Sequence, residues 1–246
     1  MPPQSRTPYK NRVLAALPKA EIDRLAPHLF PVVLEVDKTL LGADEKISEA
    51  YFLEEGLASI VVTMSDGNTV EVGVVGRDGI SGLPILLETD SIPTRTFMQI
   101  SGSGFRIKAA RLSEEYAKPG KLRTLLQNYL QTHLVQTSQS AACNRLHESD
   151  QRLAKWLLIC RDRTGSDHLS LTHDFLSQML GTRRSTVTLA AGILHRAGLI
   201  KYSRGHVAIL DGEGLEQAAC ECYRAIQNES KRLSARSAAG TQQSLL

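Results

Sequence analysis

The sequence predicts an α+β fold made of an antiparallel β-roll, one long helix, and a small C-terminal domain of short helices with a hairpin. Three observations predict it. Short β-type runs separated by turn signals fill residues 30–107. A helical pattern of about 26 residues then follows Pro119-Gly120. Two helical stretches separated by a glycine, and then a hairpin, occupy residues 169–211. Strands followed by helices, without βαβ alternation, are typical of this fold class.

Length and composition exclude several classes of protein. The chain has 246 residues and a net charge of +3, so it is long enough to bury a core and only mildly basic. No apolar run reaches the length of a membrane span, and the N-terminus lacks an apolar signal region. We therefore expect a cytoplasmic protein with no membrane partner.

The β-roll is predicted from six short runs rich in β-branched and aromatic residues. The pair Asp66-Gly67 lies between two of them and is a strong hairpin signal. Six such runs in about eighty residues favour a compact barrel or roll. They cover residues 32–36, 50–53, 57–64, 69–75, 95–101 and 105–108.

A glycine-rich loop interrupts the strands at residues 76–82, with the sequence GRDGISG. Glycines at Gly76, Gly79 and Gly82 permit backbone amides to approach an anion closely. A tight corner of the roll is the alternative, and the spacing favours that structural explanation. No Gly-Lys-Ser/Thr follows, so the loop is not a P-loop.

The long helix carries a repeat of about 3.5 residues, which is typical of a coiled-coil seam. A small roll cannot bury such a helix alone, so we expect it to lie between two domains and to pair with a second copy of the chain. On this seam, His133 is expected to bond to its twin or to a backbone group rather than to a metal or haem. The predicted dimer contacts are Leu122, Leu126, Tyr129, His133 and Gln136.

The C-terminal pattern is that of a helix-turn-helix. Thr172 is placed to cap a first helix, Gly181 ends it, and a second helix runs from about Arg183 to Ala197. The second helix buries an apolar stripe, which leaves polar side chains exposed at its start. The second helix of such a motif enters the major groove of DNA. The exposed side chains are Arg183, Arg184, Ser185 and Thr188.

A two-stranded wing is predicted after this motif, with strands 199–203 and 206–210 joined by Arg204-Gly205. Residues 181–206 contain five Lys/Arg and no acid, which is the charge pattern of a phosphate-binding surface. A last helix follows Asp211, and residues 229–246 are expected to form a disordered tail.

Four cysteines lie in the second half of the chain. Cys143 and Cys160 are expected as small core or interface residues. The pair Cys220-x-Cys222 is not a metal spacing by itself, and no second pair completes it. We therefore expect no metal and no cofactor, and the sequence leaves any redox role of the four open.

From about residue 11 to 225 the chain resembles the Crp/Fnr superfamily of bacterial transcription regulators. The resemblance is strongest in four segments, LT (171–172), LGTRRSTVT (180–188), AGLI (197–200) and RGHV (204–207). It implies a cyclic-nucleotide-binding-like β-roll in residues 1–118, a dimerisation helix in 119–147, and a winged helix-turn-helix that reads DNA in 148–228, ahead of the tail at 229–246.

The resemblance also places the contacts to DNA. The base-reading positions of the family fall on Arg183, Arg184, Ser185 and Thr188, and Arg184 matches the arginine that contacts guanine. Leu189 stands where the family can have another arginine, so no operator sequence carries over. Four further side chains are expected near phosphates: Thr172, Lys201, Arg204 and His206.

In the roll, the sequence departs from members that bind cyclic AMP. Those use a Gly-Glu pair for the ribose and a nearby Arg-Ser/Thr pair for the phosphate. Here Gly82-Leu83-Pro84 offers no carboxylate, although Arg95-Thr96 resembles the phosphate pair. We expect no cyclic AMP binding of the usual kind and no N-terminal iron–sulfur centre. The candidate effector residues are Gly76, Asp78, Gly79, Ser81, Gly82, Arg95 and Thr96.

Taken together, the sequence predicts a homodimeric, sequence-specific regulator that reads a pseudo-palindrome in double-stranded DNA. RNA polymerase and an unidentified small-molecule effector are the other expected partners. The alternative is an effector-binding dimeric module that acts through protein partners. Catalytic residues are not expected, because the chain has no Gly-x-Ser-x-Gly, no His-Glu-x-x-His and no paired carboxylates.

Overall fold

The structure, a computed structural model, describes residues 9–203 and 205–243. The chain folds into two compact units. Unit 1 comprises the residues up to Ala58 together with Val75–Leu130. Unit 2 comprises Ser59–Val74 together with the chain from Gln131 onward. No helix in the described ranges is long and apolar enough to cross a membrane.

The predicted β-roll is confirmed as two four-stranded sheets. Their strand orders are β1-β8-β3-β6 and β2-β7-β4-β5. The strands are β1 (Phe30–Leu34), β2 (Thr39–Leu41), β3 (Glu49–Leu53), β4 (Leu57–Thr63), β5 (Thr69–Val75), β6 (Ile80–Ser81), β7 (Arg95–Ile100) and β8 (Gly102–Lys108). The short strands β2 and β6 escaped the sequence analysis because two or three residues carry no readable alternation.

Unit 1 closes around an apolar core to which four short helices and the start of a longer fifth one contribute. Phe52 and Leu14 are fully buried at its centre. Asn11 caps the first helix, since its side-chain oxygen accepts from the amides of Val13 and Leu14. The four short helices are α1 (Arg12–Ala15), α2 (Lys19–Leu25), α3 (Leu83–Leu86) and α4 (Ala109–Ala117).

The long helix α5 spans Lys121–Leu146, as the sequence predicts, but its apolar stripe faces its own chain. Leu122, Leu126 and Tyr129 are at most 7% exposed and belong to the core of unit 1. These side chains are covered within one chain, and their part in a dimer seam stays a prediction. The periodicity identified a buried face correctly.

The second part of the predicted seam lies in unit 2 and is also covered there. Gln136 is 3% exposed and accepts a hydrogen bond of 2.6 Å from Arg163 Nη2. His133 packs against Gly73, where an added Cβ would lie 2.6 Å from the ring. Gln136 is buried and His133 is half-buried in the single chain, and their part in a dimer seam stays a prediction.

The hairpin of β4 and β5 belongs to unit 2 for most of its length. Its turn forms at the predicted place, with Gly67 at φ +85° and its amide donating to the Met64 carbonyl at 2.9 Å. The hairpin is joined to the following helices by directed bonds. Trp156 Nε1 donates to Glu71 Oε1 at 2.6 Å, and Arg163 Nη1 donates to the Val74 carbonyl.

The remaining elements of unit 2 form the C-terminal domain. Its sheet has the order β10-β11-β9, so the predicted two-stranded wing has a third strand, which pairs through Leu169↔Val207. The elements are α6 (Ser149–Thr164), β9 (His168–Ser170), α7 (His173–Met179), α8 (Arg184–Arg196), β10 (Ile200–Ser203), β11 (His206–Ile209), α9 (Gly212–Ala218) and α10 (Cys222–Gln243).

The predicted last helix is two helices, and the second continues far beyond its expected end. Helix α10 runs to Gln243, so most of the segment 229–246, expected as a disordered tail, is helical. An apolar contact explains part of this difference, since Leu233 is buried. An ion pair one turn apart, Arg232 to Glu229 at 2.7 Å, adds local support.

Candidate nucleic-acid interface

The helix-turn-helix forms at the predicted residues. Thr172 Oγ1 accepts from the Phe175 amide at 3.2 Å and caps α7. Gly181 has φ +56°, the left-handed conformation that suits glycine at the turn. Arg152 of α6 is buried and donates to the carbonyl of Leu180 at the end of α7. A charged donor beneath the turn thus fixes where the second helix begins.

Helix α8 separates a buried stripe from an exposed face. Its buried residues Val187, Ala190, Ala191 and Leu194 are at most 3% exposed, and α8 packs against α6 and α7. Arg183 occupies the N-cap position, and Arg184, Ser185 and Thr188 are exposed in the turns that follow. No acidic residue lies in the first turn. The positive end of the helix dipole and the arginines therefore both attract an anion.

Thr188 is held in place by its neighbours. Its Oγ1 donates to the Arg184 carbonyl at 3.0 Å and lies 3.1 Å from His173 Nδ1. The His173 ring stacks on Tyr202, with centroids 4.2 Å apart, and Tyr202 donates to the Leu171 carbonyl at 2.9 Å. Because a hydroxyl has one proton, Thr188 has none left to donate to a base in this arrangement. Its methyl group and a lone pair remain.

The outer face of the wing is cationic. Cross-strand registers place Lys201, Ala208 and His168 in one row and Ser203, His206 and Ser170 in the next. Residues two apart on a strand share a face, so all six side chains point the same way. His206 Nδ1 lies 3.3 Å from Ser170 Oγ. Lys201 and His206 are exposed, as a phosphate contact requires.

One predicted contact lies outside the described residues. Arg204 precedes Gly205, whose φ of +80° turns the chain between β10 and β11. The other predicted residues of the interface are exposed at the surface of the same domain. Leu189 joins them with 70% of its surface exposed, and sequence reasoning noted this position only as a departure from the family pattern.

The glycine loop of unit 1 is tied down by the N-terminal helix. Asn11 Nδ2 donates to the Gly79 carbonyl at 2.8 Å, and the Arg12 amide donates to the Arg77 carbonyl at 2.7 Å. A Cβ on Gly79 would overlap the Tyr129 ring, and Gly82 adopts φ +121° beside Ala50. These contacts support the interpretation as a tight corner. The effector candidates Gly76 and Asp78 also lie in this glycine loop.

The local structure does not gather the remaining effector candidates into one site. Arg95 is exposed with its guanidinium 4.3 Å from the centroid of the Phe97 ring. Thr96 is buried, as expected for adjacent strand residues that point to opposite faces. Ser81 Oγ is buried in β6 and has no hydrogen-bond partner among the described residues.

A second constellation, missed by the sequence analysis, lies in unit 2. Cys143, His147, Cys220 and Cys222 place their ligand atoms within 4.8 Å of one another, and we name them the Cys3His cluster. The sequence shows no second pair that completes Cys220-x-Cys222, and the structure brings Cys143 and His147 beside it. The available signal was Cys143-x-x-x-His147, which puts both side chains on one helix face.

Comparison with known proteins agrees with these observations. Residues 151–218 match the family model described as the Crp-like helix-turn-helix domain. The transcriptional regulator SdrP of Thermus thermophilus is 27% identical over 178 residues, which cover 69% of this chain and 83% of SdrP. A Crp/Fnr family regulator from Eubacterium rectale has the same fold, with a TM-score of 0.64 and 16% identity over 84% of this chain and 97% of its own.

The C-terminal part of the chain therefore has a Crp-like helix-turn-helix domain. FixK2 of Bradyrhizobium japonicum has the same fold, with a TM-score of 0.67 and 17% identity over 78% of this chain and 98% of FixK2. The fold and the helix-turn-helix are thus those that the sequence predicted.

Proposed function

We propose that this Crp/Fnr-type chain is a homodimeric transcription regulator that recognises a pseudo-palindromic operator through the exposed N-terminal half of α8. One observation carries the proposal. Helix α8 buries its apolar stripe and presents Arg183, Arg184 and Ser185 at its positive end, in a first turn that contains no acidic residue. A helix so placed in a helix-turn-helix lies in the major groove with its first residues at the base edges.

Arg184 is the principal base-reading side chain. An arginine in the major groove donates two hydrogen bonds to O6 and N7 of guanine, a geometry that no other base offers. Ser185 and Leu189 lie one turn apart on the same helix, and both are exposed. Leu189 supplies an apolar contact that suits a thymine methyl group. Thr188, with its proton already donated, contributes its methyl group and an acceptor.

Phosphate contacts fix the position of the domain on the duplex. Lys201 and His206 on the outer wing face, with Thr172 at the start of α7, are exposed polar side chains of this domain. Arg204 is the expected fourth contact. Such contacts orient the protein and make affinity depend on salt, but they carry no sequence information.

Dimerisation is proposed through the exposed side of α5. Leu134, Ser138, Ala141 and Arg145 follow one another at intervals of four, three and four residues, and all are at least partly exposed. This spacing is typical of a helix pair, and small residues permit close approach of two helices. The proposed occupant is a second copy, because a pseudo-palindromic operator needs two recognition helices related by a two-fold axis.

The β-roll is proposed as a sensory domain whose effector is unidentified. Its glycine loop is occupied by contacts to α1, and no carboxylate stands where a ribose would need an acceptor. In this region, the buried hydroxyl of Ser81 can form a hydrogen bond to a bound effector. Binding of cyclic AMP in the usual way is not part of the proposal.

The test is selection of DNA from a random-sequence library by the full chain. We expect enrichment of an inverted repeat whose half-sites are about 10 base pairs apart, because two symmetry-related α8 helices would enter successive grooves. Binding of the selected duplex should weaken steeply with salt, and Lys201→Ala should reduce the slope of log K against log salt by about two, about one for each protomer of the dimer. Recovery of no motif, or affinity independent of salt, would favour the protein-partner alternative.

A further inference from the structure

The Cys3His cluster brings together the ends of segments that are far apart in sequence. Cys143 and His147 lie one turn apart at the C-terminal end of α5, where the His147 amide donates to the Cys143 carbonyl at 3.2 Å. Cys220 lies between α9 and α10, and Cys222 is the first residue of α10. The three cysteine side chains are buried, and none is in a disulfide.

Distances within the cluster match the edges of a small coordination tetrahedron. Cys143 Sγ lies 3.5 Å from Cys220 Sγ, and Cys222 Sγ lies 3.6 Å from His147 Nδ1. With zinc–sulfur bonds of about 2.3 Å and zinc–nitrogen bonds of about 2.0–2.1 Å, tetrahedral edges are about 3.5–3.8 Å. An iron–sulfur cluster would hold its ligands farther apart, because a core of several atoms lies between them.

We propose that the Cys3His cluster binds one Zn²⁺ as a structural site. Three thiolates and one imidazole are a ligand set that structural zinc sites use, with all four positions filled by protein. The ion would link the end of α5 to the start of α10 within unit 2. It would not open a position for substrate, so the site stabilises the domain rather than catalysing a reaction.

The surroundings of the cluster supply the orienting shell that a zinc site needs. Glu221 Oε2 lies 3.1 Å from His147 Nε2, the ring nitrogen opposite the one that lies near Cys222. A carboxylate in this position orients the ring and strengthens it as a ligand.

The charge of the loaded site is also matched. Three thiolates, a neutral imidazole and Zn²⁺ sum to one negative charge. Lys155 is 5% exposed, and its charge acts on the Cys143 thiol. A buried ammonium requires an anion beside it, and the Glu71 carboxyl also feels its charge. The loaded cluster gives Lys155 a second counter-charge.

Metal analysis of the full chain, purified without chelator, tests the proposal. We expect one zinc per chain, lost in Cys143→Ser and Cys222→Ser. Cys160→Ala is the matched control, since Cys160 is equally buried but belongs to no group of potential ligands in the described residues. Zinc-free protein titrated with Co²⁺ should show the absorption of tetrahedral thiolate coordination, and loading should release protons from the thiols.

Glu221→Gln keeps all four ligands and changes an exposed side chain, so it tests the site even if the cysteine variants do not fold. We expect zinc affinity to fall about 10–100-fold in competition with a chromophoric chelator. The control Glu213→Gln, at the start of α9, should leave the zinc affinity unchanged. Zinc no higher in the unmodified chain than in Cys143→Ser, iron with acid-labile sulfide, or a Cys143–Cys220 disulfide in protein handled under nitrogen would each overturn the proposal.

Discussion

The two units bury their cores in contrasting ways. Unit 1 closes around leucine, isoleucine and phenylalanine, and Glu115 is the charged residue among its described buried side chains. Unit 2 buries four charged side chains in its described residues, namely Glu71, Arg152, Lys155 and Arg163. Apolar contacts are non-directional, whereas each buried charge needs a partner at a fixed position. The unit that carries the helix-turn-helix is therefore the one held by directed bonds.

The difference has a consequence for the DNA-binding helix. In unit 2, Arg152 fixes the turn before α8, and Arg163 joins helix α6 to Gln136 of α5 and to the Val74 carbonyl of the hairpin. Well-satisfied buried polar groups specify one arrangement of helices more strictly than apolar packing does. We infer that the polar core serves to orient α8, and that the apolar core of unit 1 supplies stability.

The largest effect is expected in unit 1, from Leu126→Ala. Leu126 is fully buried within the apolar core, so removing its side chain leaves a cavity and should lower the free energy of unfolding by about 2–5 kcal/mol. Denaturant unfolding of the full chain measures this loss. The matched control is Leu134→Ala on the exposed side of the same helix, expected to change unfolding by less than about 0.5 kcal/mol at constant dimer fraction.

Equal losses of unfolding free energy from the two leucine variants would contradict the burial described here.

Position 134 also tests the proposed dimer face of α5. Sedimentation should show weaker dimerisation for Leu134→Glu, whereas the exposed Leu87→Glu should dimerise like the unmodified chain. Dimerisation unaffected by Leu134→Glu would exclude the proposed face of α5.

In unit 2 the polar core predicts a dependence of stability on pH. Burial raises the pKa of the Glu71 carboxyl to about 7, although bonds from Trp156 and Ser59 act to lower it. Between about pH 4.5 and 7 the folded chain holds a proton that the unfolded chain releases, so this group makes stability fall as pH rises. The expected loss is about 1–3 kcal/mol, since one pKa unit corresponds to about 1.4 kcal/mol.

Glu71→Gln removes the titrating carboxyl. The part of the fall in unfolding free energy with pH that this carboxyl causes should therefore disappear. Unfolding curves recorded from pH 4.5 to 7.5 provide the measurement. Glu213→Gln serves as the control and should keep the slope of the unmodified chain, since Glu213 lies in the first turn of α9 and not in the polar core. An unchanged slope in Glu71→Gln would mean that the carboxyl titrates in the folded chain as it does in the unfolded one.

Sequence reasoning succeeded where a residue's role is set by its neighbours in the chain. Thr172 at the cap, Gly181 at the turn and Gly67 in the hairpin needed only local chemistry, and each was predicted. It failed where the partner lies far away in sequence. The stripe of Leu122 and Leu126 indicated a buried face, but periodicity does not say what covers it.

The same limit explains the missed cluster. Cys143 and Cys220 are separated by 77 positions, so no spacing rule joins them. Glu71 likewise gave no sign that Trp156 would donate to it across 85 positions. Long-range polar pairs of this kind become visible only when the topology brings the elements together.

The central claim is that α8 reads bases through its first turn, and replacement of two arginines on that helix tests it most directly. Binding of the selected operator and of a scrambled duplex is measured for Arg184→Ala and for Arg196→Ala, which alters the exposed last residue of the same helix. We predict that Arg184→Ala loses about 1–3 kcal/mol of discrimination for each half-site, through one guanine position there, while Arg196→Ala keeps the ratio of the two affinities. An unchanged ratio in Arg184→Ala, or an equal loss in both variants, would contradict the claim.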